Sequence, residues 1–233
     1  MALGKERVAL SWSGGKDSAM ALYELRRSHR FEVACLLTTI AKEYERVSHH
    51  GVRTELVERQ ARALGVPLLK IYLTGTRCTN EEYEAVMSRA MLECQESGIS
   101  SVAFGDIFLE DLRAYRESNL AKVGMKAVFP IWHRKTSELV KTFINLGFEG
   151  CLACIDSRKL DKSFCGRLID ENLIRDLPND VDPCGENGEF HSFVFGGPIF
   201  YHPVGIKLGE VVLRDDRHFI DLQPDDIIIS PSP

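Results

Sequence analysis

No stretch of these 233 residues is apolar for long enough to cross a bilayer, and neither a low-complexity tract nor an internal repeat occurs. A helical membrane span and a repeat architecture are thereby excluded. Basic charge is not in excess either. Against 34 Asp and Glu stand 29 Lys and Arg, a formal net charge of −5, which argues against nucleic acid as the main partner. A local basic patch remains at His133-Arg134-Lys135. The seven cysteines lack the even number and regular spacing of a disulfide framework and fit a reducing cytoplasm. The chain passes from Lys5-Glu6-Arg7 straight into a short apolar run, so no secretory leader is expected. Cys151 and Cys154 have no second Cys-x-x-Cys beside them, and two residues three apart on a strand point to opposite faces, a poor geometry for one metal. Together with Cys165 and Cys184 they read as packing residues.

What is present is the composition of a globular protein, 44% hydrophobic and 27% charged. The length suits one generous domain, or one plus a small appendage. The chain is organised around VALSWSGGKDSAM at residues 8–20. An apolar run stops at a turn rich in glycine and hydroxyl groups, and a helical pattern with Ala21, Leu22 and Leu25 on one side begins. Strand, tight turn and helix bring free backbone N–H groups and the positive end of a helix to one point, which suits an anion. Gly14 and Gly15 permit close approach, Ser11, Ser13 and Ser18 offer hydroxyls, Lys16 a charge, and Asp17 a ligand for magnesium. The expected guest is a phosphate group. The usual ATPase loop is missing, because Leu10 and Asp17 stand where that pattern needs glycine and Ser or Thr.

Further along, buried strands are expected at residues 32–39, 68–73, 101–105 and 127–130, alternating with helices at 54–64, 81–96 and 109–122. In the third helix Tyr83, Val86, Met87, Ala90 and Cys94 are expected to face inward. Steady alternation means right-handed crossovers and a parallel sheet, with the ligand site beyond the carboxyl ends of the strands. The polar residues do fall at those ends: Ser11 to Ser18, Thr38-Thr39, and Gly105-Asp106. After Pro130 the pattern changes. Helices at 136–146 and 166–173 and strands at 150–156, 190–195, 204–208, 210–213 and 219–222 predict a smaller α+β domain, residues 131–233, leaning over an α/β domain of residues 1–130. The tail at 230–233 is expected to be loose.

Two more signatures stand out. GDIFLEDLRAYRE at 105–117 places Asp106 at a strand end and Glu110, Arg113 and Glu117 on one helix side. That side is either a substrate-gripping face or a solvated stripe of Glu110–Arg113 and Arg113–Glu117 pairs. DPCGENGEFH at 182–191 crowds Glu186, Asn187, Glu189 and His191 before an aromatic strand. It reads either as a carboxylate-lined substrate turn or as an ordinary β-turn. His49-His50 reads either as a contact to nucleotide or substrate from the second crossover or, as is commoner for such a pair, as loop surface.

SGGKDS resembles the signature of the N-type ATP pyrophosphatases, the PP-loop family. With GDI…LEDLR.YRE and DPCGENGEFH following in order, the chain resembles the diphthine–ammonia ligases and their bacterial relatives over nearly its whole length. That resemblance implies a PP-loop α/β domain, then a smaller domain whose junction with it forms the substrate pocket. It also implies an ATP- and Mg²⁺-dependent ligase that adenylates a carboxylate, releases pyrophosphate and makes an amide with ammonia. The implied acceptor is a modified histidine on a translation elongation factor or, in a bacterium, another carboxylate such as a corrinoid. Carried onto this sequence, the resemblance implies ATP binding by Ser11, Trp12, Ser13, Gly14, Gly15, Lys16, Asp17, Ser18, Thr38 and Gly105, with Trp12 packed under the nucleotide and Asp17 on magnesium. Asp106, Glu110, Arg113, Glu117, Glu186, Asn187, Glu189 and His191 would bind substrate, with Lys16, Asp17, Glu186, Asn187 and Glu189 catalytic. Three departures stand against the family pattern. Phe164-Cys165-Gly166-Arg167 replaces the usual Trp-Leu-Gly-Arg, Ser192 stands where Thr is usual, and extra C-terminal domains expected of the eukaryotic enzyme are missing. Two alternative readings of the same sheet are an RNA-thiolating PP-loop enzyme and a non-catalytic ATP or AMP sensor.

Overall fold

The computed structural model describes residues 4–73 and 79–226; the tail at 230–233 lies outside the described residues. Five parallel strands form the first sheet: β1 (Glu6–Ser11), β2 (Phe31–Ala41), β4 (Leu68–Leu73), β5 (Ser101–Ala103) and β6 (Lys126–Val128). In space they run β4-β2-β1-β5-β6. The order reverses at β1, so the crevice that such sheets offer to ligands opens at the end of β1, where the glycine turn lies. A two-residue strand, β3 (Arg46–Val47), pairs antiparallel with Ile40 and Ala41 at the far end of β2, beyond the point where β1 stops. Sequence pattern did not mark β3, because two residues carry no alternation.

Helices α1 (Lys16–Arg27) and α2 (Thr54–Leu64) lie on one face of the sheet, and α3 (Asn80–Glu96) and α4 (Glu110–Lys122) on the other. α2 ends on Gly65 in the left-handed region (φ 65°), and α3 starts with a Thr79–Glu82 capping box. On α3 the buried side chains are Ala90, Met91 and Cys94, while Tyr83, Val86 and Met87 are half-buried. After α5 (Thr136–Asn145) comes a four-stranded antiparallel sheet in the order β8-β7-β10-β9. Its strands are β7 (Glu149–Asp156), β8 (Phe190–Gly196), β9 (Ile206–Arg214) and β10 (Arg217–Pro224).

Two expectations change here. The helix at 166–173 is instead a 3₁₀ turn, Lys162–Phe164, and a short helix α6 (Glu171–Asp176), started by the carboxylates of Asp161 and Asp170 on the N–H groups of Ser163 and Leu173. Leu168 between them is bridged to Cys151 in extended form. The two strands at 204–208 and 210–213 are one, β9. Gly209 keeps the strand continuous opposite a register shift, since a Cβ there would lie 2.7 Å from the Asp221 carbonyl.

The second sheet does not close a core of its own. One buried cluster joins Leu10, Met20 and Leu22 to Phe143, Leu152 and Val194, and another joins Leu56 and Val57 of α2 to Phe193 and Leu222. Gln60, fully buried on α2, fastens the junction: its Nε2 donates to the carbonyls of Gly14 and Val194, and its Oε1 accepts from Trp12 Nε1 at 2.9 Å.

Candidate active site

At the end of β1 the chain turns through Gly14 at φ 80°, and a Cβ there would meet Gln60 Oε1 at 2.7 Å. Glycine is required. Ser13 Oγ accepts from the Gly15 N–H (3.3 Å) and lies 3.4 Å from Ser18 Oγ. α1 has no side-chain cap from its own flank. Ser192 of β8 supplies one, its Oγ accepting from the Lys16 N–H at 3.0 Å. The second sheet thus completes the loop of the first.

The Lys16 ammonium is buried, bonded to both Asp17 oxygens (2.7 and 2.9 Å) and to the Cys184 carbonyl. Burial works against its charge, but Asp17 holds its pKa above the ordinary lysine value. Burial likewise pushes the Asp17 carboxyl up, opposed by Lys16. Across the turn, Glu186 Oε1 accepts from the Ile107 N–H at 2.8 Å. Burial raises the Glu186 carboxyl to about 7, which places it at the working point of an acid–base group.

These groups open on a cavity of about 640 Å³ whose polar wall includes Ser11, Ser13, Lys16, Asp17, Ser18, Asp106, Glu186, His50 and His191. Trp12 and Gly105 line it as well. Gly105 is there because the loop after β5 passes close under α1: a Cβ would lie 2.8 Å from the Asp17 backbone. The cavity then runs over the sheet face between α3 and α4, past Leu37, Ile71, Val102 and Phe104.

Other expected residues stand elsewhere. Thr38 is fully buried and donates its hydroxyl to the Trp12 carbonyl at 2.7 Å, while its neighbour Thr39 reaches the cavity. Gly14 and Gly15 shape the loop without lining the cavity; the Gly14 carbonyl is taken by the Val194 N–H. Glu110, Arg113 and Glu117 are off the cavity. Glu110 meets His133 at 3.1 Å, and Arg113 pairs with Glu117 at 2.8 Å while lying over Phe129 and Trp132. The cations of α4 that line the cavity are Arg116, three positions beyond Arg113, and Lys122. Arg116 grips Asp106 through two bonds (2.5 and 3.1 Å) and lies over Phe104. Asn187 and Glu189 are also off the cavity, since they build the turn. Glu189 is buried, its Oε1 accepting from the Asp182 N–H and from Asn187 Nδ2, and its Oε2 has no partner.

Of the His49-His50 pair, His49 is exposed and His50 is half-buried, and both line the cavity. The His50 ring lies 4.5 Å from that of His191, tilted by 32°, and its Nδ1 is 3.3 Å from the Ser192 carbonyl oxygen. Burial lowers His50 to about 4 and His191 well below the ordinary imidazole value. No pattern in the sequence marks the burial of His50; the ion pairs of Arg46 and Arg53 with Asp221 of β10 hold the loop that brings it in. Among the described residues no group of three metal-binding side chains is assembled. Asp17 is a hard oxygen donor beside the loop, which fits a magnesium ion that arrives on phosphates rather than one caged by protein alone. Burial pushes the thiols of Cys151 and Cys184 up to about 12 and those of Cys154 and Cys165 to about 11, so all four are protonated at neutral pH.

A glycine turn at the switch point of a parallel sheet, closed by a second antiparallel sheet, puts the chain in the class of PP-loop α/β proteins. More particularly, it belongs to the diphthamide synthase family: the model of the diphthamide synthase N-terminal domain matches residues 6–127, and that of the C-terminal domain residues 135–226. Human diphthine–ammonia ligase is 23% identical over 239 residues, covering 91% of this chain and 87% of that protein. The Rattus norvegicus ligase is 24% identical with the same coverage, and the Danio rerio ligase is 23% identical over 91% of each chain. These eukaryotic relatives are therefore close to this chain in extent, against the expectation of extra C-terminal domains. The U34-tRNA thiolase NcsA from Methanococcus maripaludis, solved with its 4Fe–4S cluster, overlaps 62% of this chain and 58% of its own at 17% identity and a TM-score of 0.37, too partial a likeness to bear on function. No helix among the described residues is long and apolar enough to cross a membrane.

Proposed function

We propose that the protein is an ATP-dependent amide ligase that activates a substrate carboxylate as its adenylate, releasing pyrophosphate, and then couples the acyl group to ammonia. Family membership and the relatives' name, diphthine–ammonia ligase, support this reading. The observation that carries it is the β1 turn, with Ser13, Lys16 and Ser18 facing the same cavity as Glu186, a carboxyl poised near 7. The part up to residue 130 supplies the phosphate loop and the part after it the substrate turn. In this reading the two outer phosphates of ATP lie against Ser13 to Ser18, and the acceptor carboxylate attacks the inner phosphorus. Lys16 and the start of α1 offset the charge gathering on the leaving group. Asp17 would hold magnesium, which supplies further neutralisation of the phosphates. Glu186 takes a proton from the incoming ammonium. Asp106, braced by Arg116, meets the polar part of the acceptor.

The acceptor class implied by the relatives is diphthine, the modified histidine of an elongation factor; the alternative is another carboxylate, for example in a corrinoid. A cytoplasmic location belongs to the same proposal. The test is incubation with ATP, ammonium and each acceptor in turn. Amide, AMP and pyrophosphate are expected in equal amounts, and Lys16→Ala is expected to reduce turnover by about 10²–10³-fold. ADP with orthophosphate, or bound ATP with no turnover on any acceptor, overturns the reading.

A further inference from the structure

His50 and His191 have no part in the steps above, yet they form a wall of the phosphate loop. A Cβ on Gly15 would lie 3.1 Å from His50 Cε1, and both rings line the cavity. The loop that carries His50 is held rigidly. Asp221 of β10 takes Arg46 at 2.8 Å and Arg53 through two bonds (2.9 and 2.7 Å), and Gly51 lies so close to the Phe219 ring that a Cβ there would sit 2.5 Å from it.

The partner of Nδ1 fixes the tautomer. A carbonyl only accepts, so the bond to Ser192 requires the proton on Nδ1 and leaves Nε2 with a lone pair. A lone pair repels phosphate oxygens; a second proton turns the same atom into a donor. The charged and titratable groups that face the pair are His49 from its own loop, Lys16 from α1 and Arg217 from β10, all of which disfavour a further positive charge. They keep the rings neutral while the loop is empty. A polyphosphate reverses the sign of that local field. Two rings 4.5 Å apart do not both charge, so the pair takes a single proton.

We propose that a polyphosphate enters the loop together with one proton, held on the His50–His191 pair, and that this imidazolium protonates the departing pyrophosphate. The step rests on the adenylation reading above. The acceptor oxygen forms a bond to the inner phosphorus, and the bond from that phosphorus to the bridging oxygen breaks. The electron pair stays on the bridging oxygen, which takes the imidazolium proton, and the ring returns to neutral.

α,β-Methylene-ATP is the probe, because its inner phosphorus cannot part from the bridging group and the complex stays at the stage before the imidazolium gives up its proton. It is titrated calorimetrically into the full chain at about pH 6.5, the ordinary imidazole value, in buffers of different ionisation enthalpy. The expected result is that the wild type takes up more protons per analogue bound than the double variant His50→Gln/His191→Gln, by a difference approaching about one. The difference is expected to persist in a Glu186→Gln background, which removes the other group that titrates there. Nitrogen-15 spectra of the histidine rings in the wild type, independent of any variant's folding, are expected to show neutral rings before the analogue and a doubly protonated ring after it. Equal proton uptake by both proteins, or rings still neutral at saturation, overturns the proposal and leaves the ligase reading intact. Failure of the wild type to bind the analogue or ATP overturns both.

Discussion

Glu186 shows how a single residue ties chemistry to stability. Its carboxyl sits at about 7 in the folded protein against an ordinary 4.5, so the folded state binds its proton more tightly than the unfolded chain. A raised acid is favourable to folding at low pH and loses that contribution as pH rises from about 4.5 through about 7. Glu186→Gln keeps an acceptor for the Ile107 N–H and removes the buried charge. Denaturant titrations are expected to find the variant more stable than wild type at pH 8 by about 1–2 kcal/mol, after discounting for partial exposure, with no gain near pH 4. Amide formation is expected to fall in the same variant. The loop residues were legible at this scale: glycine pairs, hydroxyls and lysine after a strand carry their chemistry in their identity. His50 was not, since nothing in a histidine's neighbours along the chain tells whether its ring is wet or buried.

At the scale of elements, the β2–β3 hairpin and its following loop are held through one carboxylate. Arg53 and Arg46 keep Asp221 ionised far below the usual carboxylate range. Asp221→Asn removes a charge shared by two arginines and is expected to destabilise the protein by about 2 kcal/mol, lost in the wild type too at strongly acid pH, as urea titrations across pH would read. Pyrophosphate affinity is expected to fall with it, because His50 rides on that loop. α4 teaches a different lesson. Periodicity put Glu110, Arg113 and Glu117 on one side, and they do share it, but Arg113 lies over Phe129 and Trp132 and pairs with Glu117, while Arg116 takes the cavity side. Spacing fixes which residues share a face. It does not say which way that face turns.

Over the whole molecule, the two sheets share buried clusters, and Gln60 and Ser192 span the junction. Unfolding is therefore expected to be a single transition, with the same midpoint by far-UV circular dichroism and by tryptophan fluorescence. Phe193→Ala, which hollows the cluster between α2 and β8, is expected to lower that midpoint as a unit, at a cost of about 3–5 kcal/mol, rather than to split it in two. Two separated transitions would show that the second part folds by itself.

The alternation of apolar runs and helical stripes, and the small polar residues at strand ends, determined the α/β class, the parallel sheet and the glycine turn between β1 and α1, because those properties follow from periodicity and local backbone chemistry. Tertiary structure alone decided that β8 caps α1 through Ser192, that Asn187 and Glu189 shape a turn and do not line the cavity, and that two histidines 141 positions apart in sequence lie ring against ring beside the loop. Such juxtapositions depend on how the two sheets pack over shared buried clusters, which no local pattern encodes.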